Sequence, residues 1–173
     1  VNDMNQLWVA DITYVRLLAE FVYLAVVLDA FSRRAVGWAL ARNLQTPLPL
    51  AALERAINSR RPSPGLVHHS DRGSQYASND YVKRLESIGA VLSMSRPGHP
   101  WENGQCESFL KTLKREEIDA RPYHTMEELE QRIEEFIEQV YNRVRLHSAL
   151  GYRSPAEFEQ QQALRKTEVN WLP

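Results

Sequence analysis

The sequence predicts a mixed α/β domain in which an antiparallel meander is followed by strands alternating with helices on both faces of one sheet. Three observations predict it. Three apolar runs rich in Val, Ile, Tyr and Trp come first, at residues 7–15, 21–28 and 35–40, each too short for a helix. The segments joining them have hairpin length. Beyond residue 46, helical patterning alternates with two more short apolar runs, which brings the sheet to five strands.

The remaining elements follow in order. Pro47 and Pro49 punctuate the chain before residues 50–57, which read as a helix of modest length. The segment 61–65 (RPSPG) stops it, and Leu66, Val67, His68 and His69 form a short buried-type strand. A helix over 79–88 ends at Gly89 as its C′ residue, and a strand covers 90–94. Two prolines and two glycines make 95–104 an irregular loop, which leads into a helix over 105–117. Thr125 with Glu128 forms a capping box, and apolar positions 129, 133, 136, 137, 140 and 141 then follow a helical period. Ser154 with Glu157 is a second box, with Pro155 at the first helical position. The expected organisation is one domain over residues 1–173, with a core at about 1–120 and a helical extension at about 121–173.

Composition excludes several classes. Of 173 residues, 43% are hydrophobic and 25% charged, as in ordinary globular chains and unlike disordered ones. No apolar run reaches the ~18 residues a membrane span needs. The single Cys106 excludes a disulfide scaffold and a Cys-based zinc site, and fits a reducing cytosol. No signal peptide pattern is present at the start, and a first residue of Val1 is expected of a fragment of a longer protein. Net charge is −1, but the charge is unevenly spread. Arg33, Arg34, Arg42, Arg55, Arg60 and Arg61 face only Glu54 between residues 31 and 64, and residues 127–138 hold six glutamates against Arg132. A basic surplus returns at 141–166. Basic faces beside one acidic helix are therefore expected.

Three acids stand out by position. Asp11 lies inside the first strand, where an unpaired carboxylate is expensive. Asp71 directly follows a strand and opens a polar, Gly-containing loop, and Glu107 sits one turn into the helix after the Pro/Gly loop. Ligands gather at the carboxyl ends of strands in open sheets, and neighbouring strands can bring Asp11 to Asp71. Converging carboxylates repel unless a hard divalent cation, Mg²⁺ or Mn²⁺, joins them. Residue by residue, other readings stand: a hydrogen-bonded strand Asp11, a turn Asp71, and a Glu107 paired with Lys111, with Glu102 competing for the third position.

Together, longer strings decide the matter. WVADITY at 8–14, LDAFSR at 28–33 with VGW at 36–38, HSDRGSQY at 69–76 and ENGQCESF at 102–109 with Leu113 and Lys114 resemble the transposases of bacterial insertion sequences (orfB type) that carry a retroviral-integrase-like core. Tyr141, Asn142, Arg145, His147, Leu150, Ser154 and Pro155 are similar to the same family's C-terminal signature, so the likeness runs from about residue 8 to about 158. The family's acids fall on Asp11, Asp71 and Glu107, with 35 residues between the last two, the spacing of the DD(35)E class.

The resemblance implies a ribonuclease-H-like fold and metal-dependent DNA strand cleavage and joining at terminal inverted repeats. It implies Mg²⁺ or Mn²⁺, two ions per site with DNA bound, held by Asp11, Asp71 and Glu107. It also implies element-end and target DNA as partners, a homo-oligomeric active complex, and action in the bacterial cytoplasm with no membrane involvement. An upstream helix-turn-helix region that reads the repeats is expected to be absent from this chain. No protein nucleophile is needed, so Cys106 is expected to be structural. Lys111 and Lys114 fall on the face of Glu107 at i+4 and i+7, suited to phosphates. Asn103, Arg72 and His69 complete the expected DNA contacts. The alternatives are a ribonuclease-H-type nuclease that cuts without joining, and a silent core kept for DNA binding or multimerisation.

Overall fold

The computed structural model describes residues 1–45, 47–71, 73–95 and 103–169. β1 (Leu7–Arg16), β2 (Phe21–Asp29) and β3 (Ala35–Ala41) form the meander, and β4 (Val67–Ser70) and β5 (Val91–Met94) add in parallel on the other side of β1. The sheet order is β3-β2-β1-β4-β5, the five-stranded mixed sheet the sequence predicts.

Strand alternation splits the core in two. On β2, Val22, Leu24, Val26 and Leu28 face one side and Ala25 and Val27 the other, all buried. A central strand covered on both faces reads as a continuous apolar run, as residues 21–28 do. One side carries α1 (Pro47–Arg60) and α2 (Asn79–Ser87), whose Ala52, Leu53, Ala56, Tyr81 and Leu85 pack on Trp8 and Ala10. The other carries α3 (Gly104–Leu113) and α4 (Met126–Glu135), whose Cys106, Phe109, Leu110, Leu129 and Ile133 pack on Val9, Leu24 and Val26. Because Phe136, Ile137 and Tyr141 join that second cluster, the C-terminal helices share a core with the sheet.

Several expectations are corrected. α1 begins at Pro47 rather than at residue 50: two prolines fit its first turn, where the missing N–H groups have no helical acceptor to lose. α3 and α4 each widen into a π-helical turn, at Lys114–Ile118 and Phe136–Tyr141. The second turn breaks the expected period, leaving Val140 exposed while Phe136, Ile137 and Tyr141 stay buried. The Thr125 box closes only halfway. Thr125 Oγ1 accepts from Glu128 N–H at 3.1 Å, but the Glu128 carboxylate accepts from His124 N–H instead. The Ser154–Glu157 box closes in both directions and starts α5 (Pro155–Val169).

The basic faces are partly neutralised. Glu159 on α5 is buried against Arg34 (2.9 Å) and Arg60 (2.8 Å) and accepts from Ser32 Oγ–H. Arg42 pairs with Glu20, Arg55 with Glu134, and Arg145 with Glu116. Acids far away in sequence neutralise arginines that look unopposed locally. Among the described residues no helix is long and apolar enough to cross a membrane.

Candidate active site

The β1–β4 pairing sets the site. Leu7, Trp8 and Val9 lie beside Val67, His68 and His69 in parallel register. Two residues further along each chain, Asp11 and Asp71 come level where the ladder ends. Alternation places Asp11 on the face of Val9, the face that α3 covers. α3 buries Cys106, Phe109, Leu110 and Leu113 there and leaves Glu107 exposed, with Lys111 and Lys114 following along the same open flank. Asp11, Thr13, Glu107, Lys111 and Lys114 line one open cleft of about 510 Å³, with Asp119 at its rim. Asp71 stands beyond that lining, in a turn where its Oδ1 accepts from Gly73 N–H at 2.9 Å.

Electrostatics ties the three acids together. The Asp11 carboxyl is pushed up to about 6, first by burial and then by the charges of Asp71 and Glu107. An Ile12 N–H donated to its Oδ1 (2.8 Å) and the Lys114 ammonium act the other way and are outweighed. Such carboxylates offer hard oxygen ligands to a divalent cation, and the unfavourable state of Asp11 is what a bound cation would relieve. Among the described residues, no three His, Cys, Asp or Glu side chains stand close enough to enclose an ion. The donor set suits Mg²⁺ or Mn²⁺, but it is open, with coordination left for a phosphate oxygen or water.

The other expected residues separate. Lys111 forms no ion pair among the described residues, and Lys114 lies over the Tyr14 ring, 5.0 Å from its centroid. Asn103, an expected DNA contact, is only 6% exposed, and its Nδ2–H donates to the carbonyl of Ala10, beside Asp11 (3.1 Å). It also gives α3 no side-chain cap. His69 has both ring nitrogens bonded to neighbouring serines, Ser93 Oγ (2.9 Å) and Ser95 Oγ (3.0 Å), so its place is between strands. His68 is buried on the opposite face, where its Nε2 and the Tyr81 hydroxyl share a hydrogen bond of 2.9 Å. Arg72 and Glu102 lie outside the described residues. Cys106 is fully buried and its thiol is pushed up by that burial, as an inert packing residue requires. Trp8 and Trp38 are core residues, and Phe31 is half-buried against Phe158. Sequence reading missed Thr13, although period 2 puts it on the face of Asp11, and missed Asp119, whose position depends on the π turn after α3.

Comparison with known proteins agrees with this architecture. Residues 1–100 match the integrase core domain family, and residues 89–155 match a second integrase core domain description. The transposase of insertion element IS904 from Lactococcus lactis is 44% identical over 155 residues, covering 90% of this chain and 61% of that protein. The InsF transposase of element IS3A from Escherichia coli is 38% identical, covering 90% of this chain and 54% of that protein. The chain thus spans little more than half the length of these curated relatives. Among solved structures, the simian T-cell lymphotropic virus intasome has a chain that superposes with a TM-score of 0.73 at 21% identity, over 90% of this chain and 54% of that one. The magnesium-bound catalytic core of HTLV-2 integrase (dimeric form) superposes at 0.69 and 17% identity, over 90% and 97%. At that identity the structures speak for the fold alone, and it is ribonuclease-H-like.

Proposed function

This chain belongs to the integrase core domain family, and we propose that it is the catalytic core of a DNA transposase that cuts DNA at element ends and joins the freed 3′-hydroxyl to a second strand. One observation carries the reading: Asp11, half-buried in β1, has its carboxyl pushed up to about 6 by burial with the charges of Asp71 and Glu107 adding to it. A half-buried carboxylate with two more carboxylates near it is a poor structural device and a good start for a ligand set. The residues that would hold Mg²⁺ or Mn²⁺ are Asp11, Asp71 and Glu107, as two ions once DNA is present. Bound ions would supply activation of the attacking oxygen and stabilisation of the leaving oxygen on phosphorus.

The chain's own residues do the rest. Lys111 and Lys114 hold phosphate oxygens along the cleft, while Asn103 keeps α3, and so Glu107, in register with Asp11 through the Ala10 carbonyl. In the first displacement, water forms a P–O bond and the P–O3′ bond breaks, freeing a 3′-hydroxyl. In the second, that hydroxyl forms a new P–O3′ bond and the target's 3′-oxygen leaves with a proton. No protein atom becomes covalently linked, which suits a site whose only cysteine is buried. We read the whole of residues 1–173 as one catalytic unit, with Asp11, Asp71 and Glu107 catalytic and metal-holding. We place its action on element-end and target DNA in the bacterial cytoplasm as a homo-oligomer.

The test is joining of a 3′-hydroxyl-ended labelled duplex to plasmid DNA in Mn²⁺. Joined product that disappears in Glu107→Gln supports the reading. Cutting without joining identifies a ribonuclease-H-type nuclease instead, and neither activity in the presence of DNA binding identifies a silent core.

A further inference from the structure

We propose that the open strip made by Tyr14, Arg16 and Phe21 is a stacking site for an unpaired DNA base at the end of the duplex held at the carboxylates. The inference rests on the reading above and names how that site receives its substrate.

The β1–β2 register pairs Tyr14 with Tyr23 and Arg16 with Phe21, which puts Tyr14, Arg16 and Phe21 on one face of the ladder. The rings of Tyr14 and Phe21 stand 60% and 51% exposed and meet edge to face, 5.9 Å between centroids. Single apolar residues on a surface need no explanation. Here two rings are paired, and each has a cation over it: Lys114 over Tyr14 at 5.0 Å and Arg16 over Phe21 at 5.8 Å. Aromatic faces interleaved with cations are what stacking proteins offer to single strands, the rings taking bases and the cations tracking phosphates.

The strip reaches the site around the open edge of β1, through Lys114. Lys114 lines the cleft together with Asp11 and Glu107, so the strip begins where the cleft ends. Lys111 adds a cation without an ion pair among the described residues, and Asp119 contributes the rim's negative charge. Asp11 is half-buried, so a scissile phosphate reaches it more readily when the strand's terminal base has left the duplex stack. Tyr14 is three residues past Asp11 and so on the opposite face of β1, but β1 pairs with β4 only as far as Val9, and around that open edge the Tyr14 ring meets Lys114 of the cleft.

The experiment compares binding of the 173-residue chain, in EDTA, to a blunt labelled duplex and to the same duplex with unpaired terminal bases carrying 2-aminopurine. The expected result is a preference of about tenfold for the unpaired end, with 2-aminopurine fluorescence quenched on binding. Tyr14→Ala combined with Phe21→Ala should abolish both, and Tyr14→Phe should keep both, with unchanged circular dichroism throughout. A double variant that keeps the preference, or an unmodified chain without one, overturns the proposal. A double variant whose DNA binding is intact but whose oligomeric state has changed overturns it too, by identifying the strip as a contact between copies. Joining activity in the same preparations separates the two readings. A chain that joins DNA but shows no preference overturns only the strip, whereas preference and quenching without cutting or joining support the strip and overturn the strand-transfer reading.

Discussion

Replacing Asp11 by Asn should stabilise the metal-free protein at neutral pH. The Asp11 carboxyl sits at about 6 in the folded chain, pushed up by burial first, against 3.8 for an ordinary Asp. Each unit of that difference is worth about 1.4 kcal/mol, so the ionised carboxylate costs the fold up to about 3 kcal/mol once the pH is well above both values. A raised acid is protonated more readily in the folded state, so the cost vanishes below pH 3.8 and grows as pH rises through about 6. Asparagine keeps the oxygen that accepts the Ile12 N–H and carries no charge for Asp71 and Glu107 to repel. The buried His68, held down at about 4 by burial, titrates in the opposite sense, with stability lost as pH falls from 6.5, but it is common to both proteins and cancels in their difference. The assay is urea denaturation in EDTA at several pH values, with thermal melting alongside. The expected result is a variant melting about 6–12 °C higher at pH 8 and no different near pH 3.5, from ~2–4 °C per kcal/mol for a domain this size. A variant equal to or weaker than the unmodified chain at pH 8 would refute the claim that Asp11 is electrostatically frustrated.

Three further outcomes are expected. Glu159→Gln removes the buried counter-charge of Arg34 and Arg60 and should cost about 3 kcal/mol in urea denaturation; a loss below about 0.5 kcal/mol would mean the cluster behaves as a surface pair. Gly37→Ala places a Cβ 2.2 Å from the Ala52 carbonyl oxygen, where α1 lies flat on β3, and should cost about 1–3 kcal/mol with no change in the carboxylate site. Asn103→Ala loses the bond to the Ala10 carbonyl, so joining rate should fall while DNA affinity, measured by anisotropy, stays within about twofold; a selective loss of affinity would restore it as a DNA contact.

What could be read from sequence was local. The strands announced themselves because β2 is covered on both faces and therefore apolar throughout, and Asp11 stood out because it interrupts such a run. Gly89 ended α2 as expected, at φ +69°. The Asp11–Asp71 proximity needed only a parallel neighbour, which alternation of strands and helices supplies. What was not legible came from long range. Arg60 finds Glu159 across 99 residues, so a locally basic segment is partly neutralised from afar. Asn103 looked polar and loop-borne, yet helix packing carries it into the interior. The π turns after α3 and α4 have no local signature, and they decide where Asp119 and Val140 point.

The claim at the centre of this account is that Asp11, Asp71 and Glu107 act as one ligand set. Calorimetric titration of Mn²⁺ into the chain with a duplex DNA end present tests it most directly, with Asp11→Asn, Asp71→Asn and Glu107→Gln as comparisons. Saturable binding that each substitution weakens by tenfold or more is the predicted result. Binding that survives all three substitutions, or none to the unmodified complex, would contradict the account.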